Sequence, residues 1–206
     1  MSRIIYPLLL ISFYTSLSFS QVKQPNALDS TTINVLDHRF IGGTAAFCKF
    51  VIENLRYPKE AVDNCRVGIS SVTVKLRPAG AIDSIYFNND VGLGMGIEEE
   101  ITRCLLGTKG RWTRSLDHPV LTFTLSFQRE GIEELPAFVN LSITNPILTQ
   151  RTGCVTTKSL NAAFEKARKK KDYKHTLYLC EELLRRMPDS AAYKAERASL
   201  LKKLAE

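Results

Sequence analysis

The residues able to do chemistry are few and widely spaced. Five cysteines stand at Cys48, Cys65, Cys104, Cys154 and Cys180, and the closest two are 17 positions apart. No Cys-x-x-Cys pair is present, so a zinc or thioredoxin-type site is not expected. Cys48 and Cys104 fall on the apolar faces of predicted helices, where a buried thiol serves as a small hydrophobe. Buried thiols are therefore expected in preference to bridges, although an oxidising compartment would permit a disulfide. His38, His118 and His175 are isolated from one another and from any nucleophile signature. Gly-x-Ser-x-Gly, Walker and His-Glu-x-x-His patterns are missing. Gly92-Leu93-Gly94-Met95-Gly96 lacks the third-glycine spacing of a dinucleotide loop. Glu98, Glu99 and Glu100 could meet a cation, but the first turn of a helix favours carboxylates by its dipole alone. Lys169-Lys170-Lys171 could meet phosphate, although a solvated helix end accounts for it. No enzyme activity, cofactor or metal is expected.

Charge divides the chain. It has 206 residues with 28 Lys and Arg against 21 Asp and Glu, a formal net charge of +7. Residues 156–206 hold 13 basic and 7 acidic side chains, so +6 of the excess lies there. Residues 21–155 are balanced at 14 of each sign. A basic appendix beside a neutral body marks a domain boundary. It suggests an acidic partner or an anionic membrane surface, not nucleic acid.

The elements that position these residues follow from periodicity. Residues 1–20 open with Arg3, run apolar from Ile4 to Phe19 and end on Ser18-Phe19-Ser20, the layout of a cleavable signal peptide. Export to the periplasm is the expectation. Residues 21–39 read as an extended leader. Thr44 is placed to cap a helix over Ala45–Leu55 with Phe47, Val51 and Leu55 inward. Tyr57-Pro58 stops it, and Pro58 opens a short second helix. Ile69–Leu76 and Ala81–Asn88 alternate on either side of the Arg77-Pro78-Ala79-Gly80 turn, which is an antiparallel hairpin. In the second strand Ile82, Ser84 and Tyr86 share one face, opposite Ile85 and Phe87. Ile97–Leu106 is a helix. Val120–Phe127 is a third strand with Leu121, Phe123, Leu125 and Phe127 on the core face. Residues 129–158 read as a linker or an added strand, with Phe138–Thr144 as the candidate. From residue 159 the period is helical to the end.

These elements and their motifs resemble the C-terminal domain of the TonB family over about residues 40–128. The resemblance is carried by Phe40-x-Gly42-Gly43, Tyr57-Pro58, Gly68 at the first strand, Gly80 at the hairpin, Val91-Gly92-Leu93-Gly94, and Trp112 before Pro119-Val120. It implies an α+β fold: a small antiparallel three-stranded sheet packed with two helices. It also implies a non-catalytic periplasmic module that binds an extended peptide of an outer-membrane or other envelope protein, of the TonB-dependent receptor kind, by adding it to a sheet edge. By similarity the edge is the terminal strand, with Val120, Leu121, Thr122, Phe123, Thr124 and Leu125 as its binding residues. Tyr57 and Trp112 read better as a structural corner and a buried anchor than as ligand contacts. The chain departs from motor-coupled members: residues 21–39 hold only Pro25, too short a spacer to cross the periplasm, and Thr113-Arg114 follows Trp112 where a proline pair is usual. Residues 159–206 resemble one tetratricopeptide repeat plus a capping helix. One repeat cannot bury a core alone, so this tail packs on the preceding domain or pairs with another chain, and a homodimer stays open. The alternative function is an envelope scaffold whose tail recruits the partner.

Overall fold

The computed structural model describes residue 28 and residues 30–116, 119–129, 141–145 and 154–206. The expected signal peptide lies outside them, as do residues 21–27 and 29 of the expected leader.

Residues 30–39 are not extended. They form helix α1 (Ser30–Arg39). Two threonines near its start give poor helical propensity. Tertiary burial holds it instead: Leu36 is fully buried, and Ile33 and Val35 pack on the same core. A marginal segment becomes helical when one face is packed. Helix α2 (Gly43–Asn54) begins before Thr44. The Thr44 N–H is taken by Asp37 Oδ1 of α1 at 2.8 Å. The cap expected from Thr44 is thus supplied across space, and this hydrogen bond holds the Asp37 carboxyl below the usual carboxylate range. Phe47, Val51 and Leu55 point inward as their spacing predicts. After Tyr57-Pro58 comes the short α3 (Lys59–Asp63).

Strands β1 (Gly68–Arg77) and β2 (Ala81–Phe87) form the hairpin. Lys75 pairs with Ser84 but Leu76 pairs with Ile82, so Asp83 is bulged. An extra residue flips the side chains beyond it. Ile82 therefore joins Ile85 and Phe87 against the core, not Ser84 and Tyr86. Helix α4 (Ile97–Leu106) has the predicted bounds and buries Ile97, Ile101, Cys104 and Leu105. Strand β3 (Val120–Arg129) pairs antiparallel with β1. Strand β4 (Leu141–Asn145) then adds parallel to β3. The class is α+β, and the sheet has four strands in the order β2-β1-β3-β4, not three.

One face of the sheet carries Val72, Val74, Leu76, Leu121, Phe123, Leu125 and Phe127, packed with Leu36, Phe47, Val51, Ile101 and Leu105. The opposite face is rich in hydroxyls, with Thr73 Oγ1 and Thr122 Oγ1 3.0 Å apart.

The tail is three antiparallel helices: α5 (Thr157–Lys169), α6 (Tyr173–Arg186) and α7 (Ala191–Ala205). Thr156, Asp172 and Ser190 cap them through their side chains. Leu160, Phe164, Ala167, Leu179, Cys180, Leu183, Leu184 and Leu200 make a second small core, joined by Val91 of the loop after β2. The tail is docked on the sheet domain. Arg66 Nη1 reaches both carboxylate oxygens of Glu182 at 2.6 Å, and Arg185 Nε donates to the Gly92 carbonyl at 2.8 Å. A disulfide joins Cys65, just before β1, to Cys154, just before α5. This corrects the preference for thiols at those two positions: the fold brings together two cysteines 89 residues apart. Cys104 and Cys180 are buried free thiols, and Cys48 is half-buried.

Candidate sheet-edge binding site

The family-motif residues build the scaffold. Phe40 and Trp112 pack edge to face with centroids 4.9 Å apart, and Phe47 completes the cluster. Trp112 is buried, and its Nε1 donates to Thr108 Oγ1 at 2.8 Å. Gly42 and Gly43 both hold left-handed backbone, at φ 87° and 68°, which lets the chain reverse between α1 and α2. Gly80, at φ 77°, turns the hairpin against the Trp112 carbonyl. Tyr57 donates its hydroxyl to the Arg66 carbonyl and sets its ring edge-on to Phe127. Pro58 opens α3. Tyr57 and Trp112 are thus a structural corner and a buried anchor.

Gly68 has a different neighbour. A Cβ there would lie 2.5 Å from Leu93 Cδ2 and 3.0 Å from the Arg185 carbonyl carbon. The bare backbone is what admits α6 to the end of β1.

The terminal strand is not the open edge assigned to it. From Leu125 to Arg129 it is paired with β4. At Thr122 the helix α1 covers it: Thr32 Oγ1 donates to the Thr122 carbonyl at 3.0 Å and accepts the Thr122 N–H at 3.3 Å. Leu121, Phe123 and Leu125 are core residues, while Val120 and Thr122 stay exposed on the hydroxyl face. The cause is the segment before residue 40, which folds as a helix beside β3.

The opposite end of the sheet is β2. Asn88 N–H bonds to the Ser71 carbonyl at 2.9 Å. Given the register Thr73↔Tyr86, alternation along the ladder turns the backbone groups of Ile85 and Phe87 outward. Among the described residues no backbone hydrogen bond joins this outer edge to another element. Tyr86 is 47% exposed beside it, with Lys75 Nζ 5.0 Å from the ring centroid. At the other end of the strand Arg77 Nε donates to Asp83 Oδ1 at 2.8 Å, which holds the Asp83 carboxyl below its usual range. The bulge and this ion pair confine the regular open edge to residues 84–87.

Glu98, Glu100, His38 and His175 are each engaged within the fold. The glycine-rich loop gives its Leu93 and Gly94 N–H groups to Glu98, at 2.5 and 2.9 Å, so these amides already hold a carboxylate. Glu100 takes the Arg56 N–H and the Arg103 guanidinium. His38 Nδ1 contacts the Asn34 carbonyl at 2.8 Å, and His175 stacks on Tyr178; His118 lies outside the described residues. Among the described residues no group of three or more His, Cys, Asp or Glu side chains is placed to hold a metal ion, and no helix is long and apolar enough to cross a membrane.

Sequence reasoning missed Arg39 and Thr32. Arg39 is buried and donates to the Thr113 and Arg77 carbonyls at 3.0 and 3.1 Å. The only sequence signal for either was their helical spacing with Leu36. Compared with known proteins, the chain matches no protein-family model, no curated protein and no solved structure.

Proposed function

We propose that this chain is a non-catalytic, exported binding module of the TonB C-terminal type, which captures an extended peptide of an envelope or outer-membrane protein by strand addition. The observation that carries the reading is the outer edge of β2, where the backbone groups of Ile85 and Phe87 face outward and, among the described residues, pair with no other strand. An extended segment gains main-chain hydrogen bonds at such an edge, and neighbouring side chains select its sequence. Tyr86 and Lys75 are those neighbours, suited to a peptide with an aromatic or acidic residue. The antiparallel strands β2-β1-β3 backed by helices, with a Tyr-Pro corner and a buried tryptophan, support the family assignment. The burial of Thr176, Cys180 and Leu183, three of the positions at the spacing of the repeat, supports a tetratricopeptide-like tail.

The test is capture from an envelope fraction by the full chain and by Ile85→Pro. Proline removes an outward N–H without breaking a bond to β1, and edge strands tolerate it. Capture should be lost while the far-UV spectrum is kept. Amide exchange is the second readout: Ile85 and Phe87 should become protected when the partner binds. Unprotected amides and undiminished capture would refute strand addition at β2 and favour the scaffold reading, in which the helical tail holds the partner.

A further inference from the structure

Most of the net +6 of the tail lies at one end of it, where six lysines stand against Asp172 and Glu206. Helices α5 and α7 finish, and α6 begins, on the same side. The cation–π contact fixes this: Lys203 Nζ of α7 sits 5.4 Å from the ring centroid of Tyr173 at the start of α6. Lys169, Lys170, Lys171, Lys174, Lys202 and Lys203 therefore share one tip, and all are exposed. The tip faces away from the sheet domain. That domain is gripped by Glu182 and Arg185, about 9 and 12 residues along α6 from Tyr173, or roughly 14 and 18 Å.

The helix dipole explains only part of this. It favours cations in the last turns of α5 and α7. It disfavours Lys174, which lies in the first turn of α6. Lys171 stands at φ 58°, a left-handed position where glycine is the ordinary choice. The tail's four arginines are engaged internally: Arg168 on Glu165, Arg185 on Glu182, Arg197 on Glu181, and Arg186 on the Thr157 hydroxyl and the Val155 carbonyl. Among the described residues no ion pair engages Lys169, Lys170, Lys171, Lys174 or Lys202. Apolar groups are exposed amid these lysines: Tyr173 at 36%, Leu201 at 41% and Leu204 at 37%.

We propose that this tip docks the protein on an anionic lipid surface, with the lysines against headgroup phosphates and Tyr173, Leu201 and Leu204 at the interface. Flexible lysines suit a diffuse anionic surface, whereas paired recognition of carboxylates on a protein favours the arginine fork. Exposed tyrosine and leucine inside a lysine ring add shallow apolar insertion. The inference is independent of strand capture at β2. It leaves that edge, on the sheet domain, clear of the surface.

The test is flotation of the full chain with phosphatidylcholine vesicles and with vesicles that also contain phosphatidylglycerol. Binding should require the anionic lipid and fall with added salt. The variant Lys169→Gln/Lys170→Gln/Lys171→Gln should weaken it on the order of 10²-fold, from a contribution of about fivefold per lysine. Lys49→Gln, on α2, should leave binding unchanged. Inorganic phosphate should not compete beyond its effect as salt. Equal binding to both vesicles, full binding by the triple variant, or complete competition by phosphate would overturn the proposal. Retention on polyglutamate without vesicle binding would overturn it in favour of an acidic protein partner.

Discussion

Replacing Gly68 by alanine tests the union of the two halves of the chain. Gly68 is free of left-handed backbone, so alanine fits its conformation and the cost is steric alone. The new Cβ would meet Leu93 Cδ2 at 2.5 Å, the Arg185 carbonyl carbon at 3.0 Å and the Arg185 oxygen closer still. Leu93 can change rotamer. The Arg185 carbonyl belongs to the backbone of α6, which is anchored by the Arg66–Glu182 pair and by the Cys65–Cys154 bridge. Relief therefore needs a shift of α6 or β1 of about 1 Å. Overpacking of this kind costs about 1–3 kcal/mol. For a chain of this size that lowers the melting temperature by roughly 2–12 °C. Thermal unfolding followed by circular dichroism measures it. A cycle with Glu182→Ala sharpens the test: if Gly68→Ala already displaces α6, the two losses should add to less than their sum. Gly94→Ala is the control. No atom lies within 4 Å of its Cβ position, and φ is 68°, so its cost is local strain of about 1–2 kcal/mol without coupling to Glu182. An unchanged melting temperature in Gly68→Ala would refute the close approach of α6.

Reduction of the Cys65–Cys154 bridge, which spans 89 residues, should remove about 4–5 kcal/mol by loop-closure entropy, read as a fall in melting temperature with dithiothreitol that Cys65→Ser/Cys154→Ser no longer shows. The Cys104 and Cys180 thiols are each pushed up to about 11 by burial. Neither should react with iodoacetamide at pH 8 until the protein is denatured, and rapid labelling of either in the native state would contradict their placement. The Arg103 hydrogen bond holds the Glu100 carboxyl below its ordinary value. Its folded-state pKa is depressed, so its stabilisation is present above the unfolded pKa and is lost as pH falls through the folded one; Glu100→Gln should flatten the acid limb of the stability–pH curve, measured by urea unfolding.

Periodicity located most elements because burial imposes it locally. The alternation of Val120–Phe127 and the helical spacing of Ile97, Ile101 and Cys104 each record one buried face. The bounds of α4 were legible because two glycines flank it, Gly96 in left-handed backbone and Gly107 at the other end. Ile82 was misassigned because a bulge breaks the two-residue period without marking the sequence. Helix α1 was missed because its apolar face is short. The candidate site was less legible than the fold. Whether a strand is an edge is no property of that strand.

The sequence by itself determined the α+β class, the hairpin, the helical tail and the segregation of charge into that tail. Each depends on residue type and spacing within one element. Tertiary structure alone decided that Thr32 and β4 close the side of β3, that β2 is left open among the described residues, that Cys65 meets Cys154, and that Gly68 makes room for α6. Each of these is a meeting between segments far apart in the chain. Periodicity reports which face of an element is buried, but not which other element covers it.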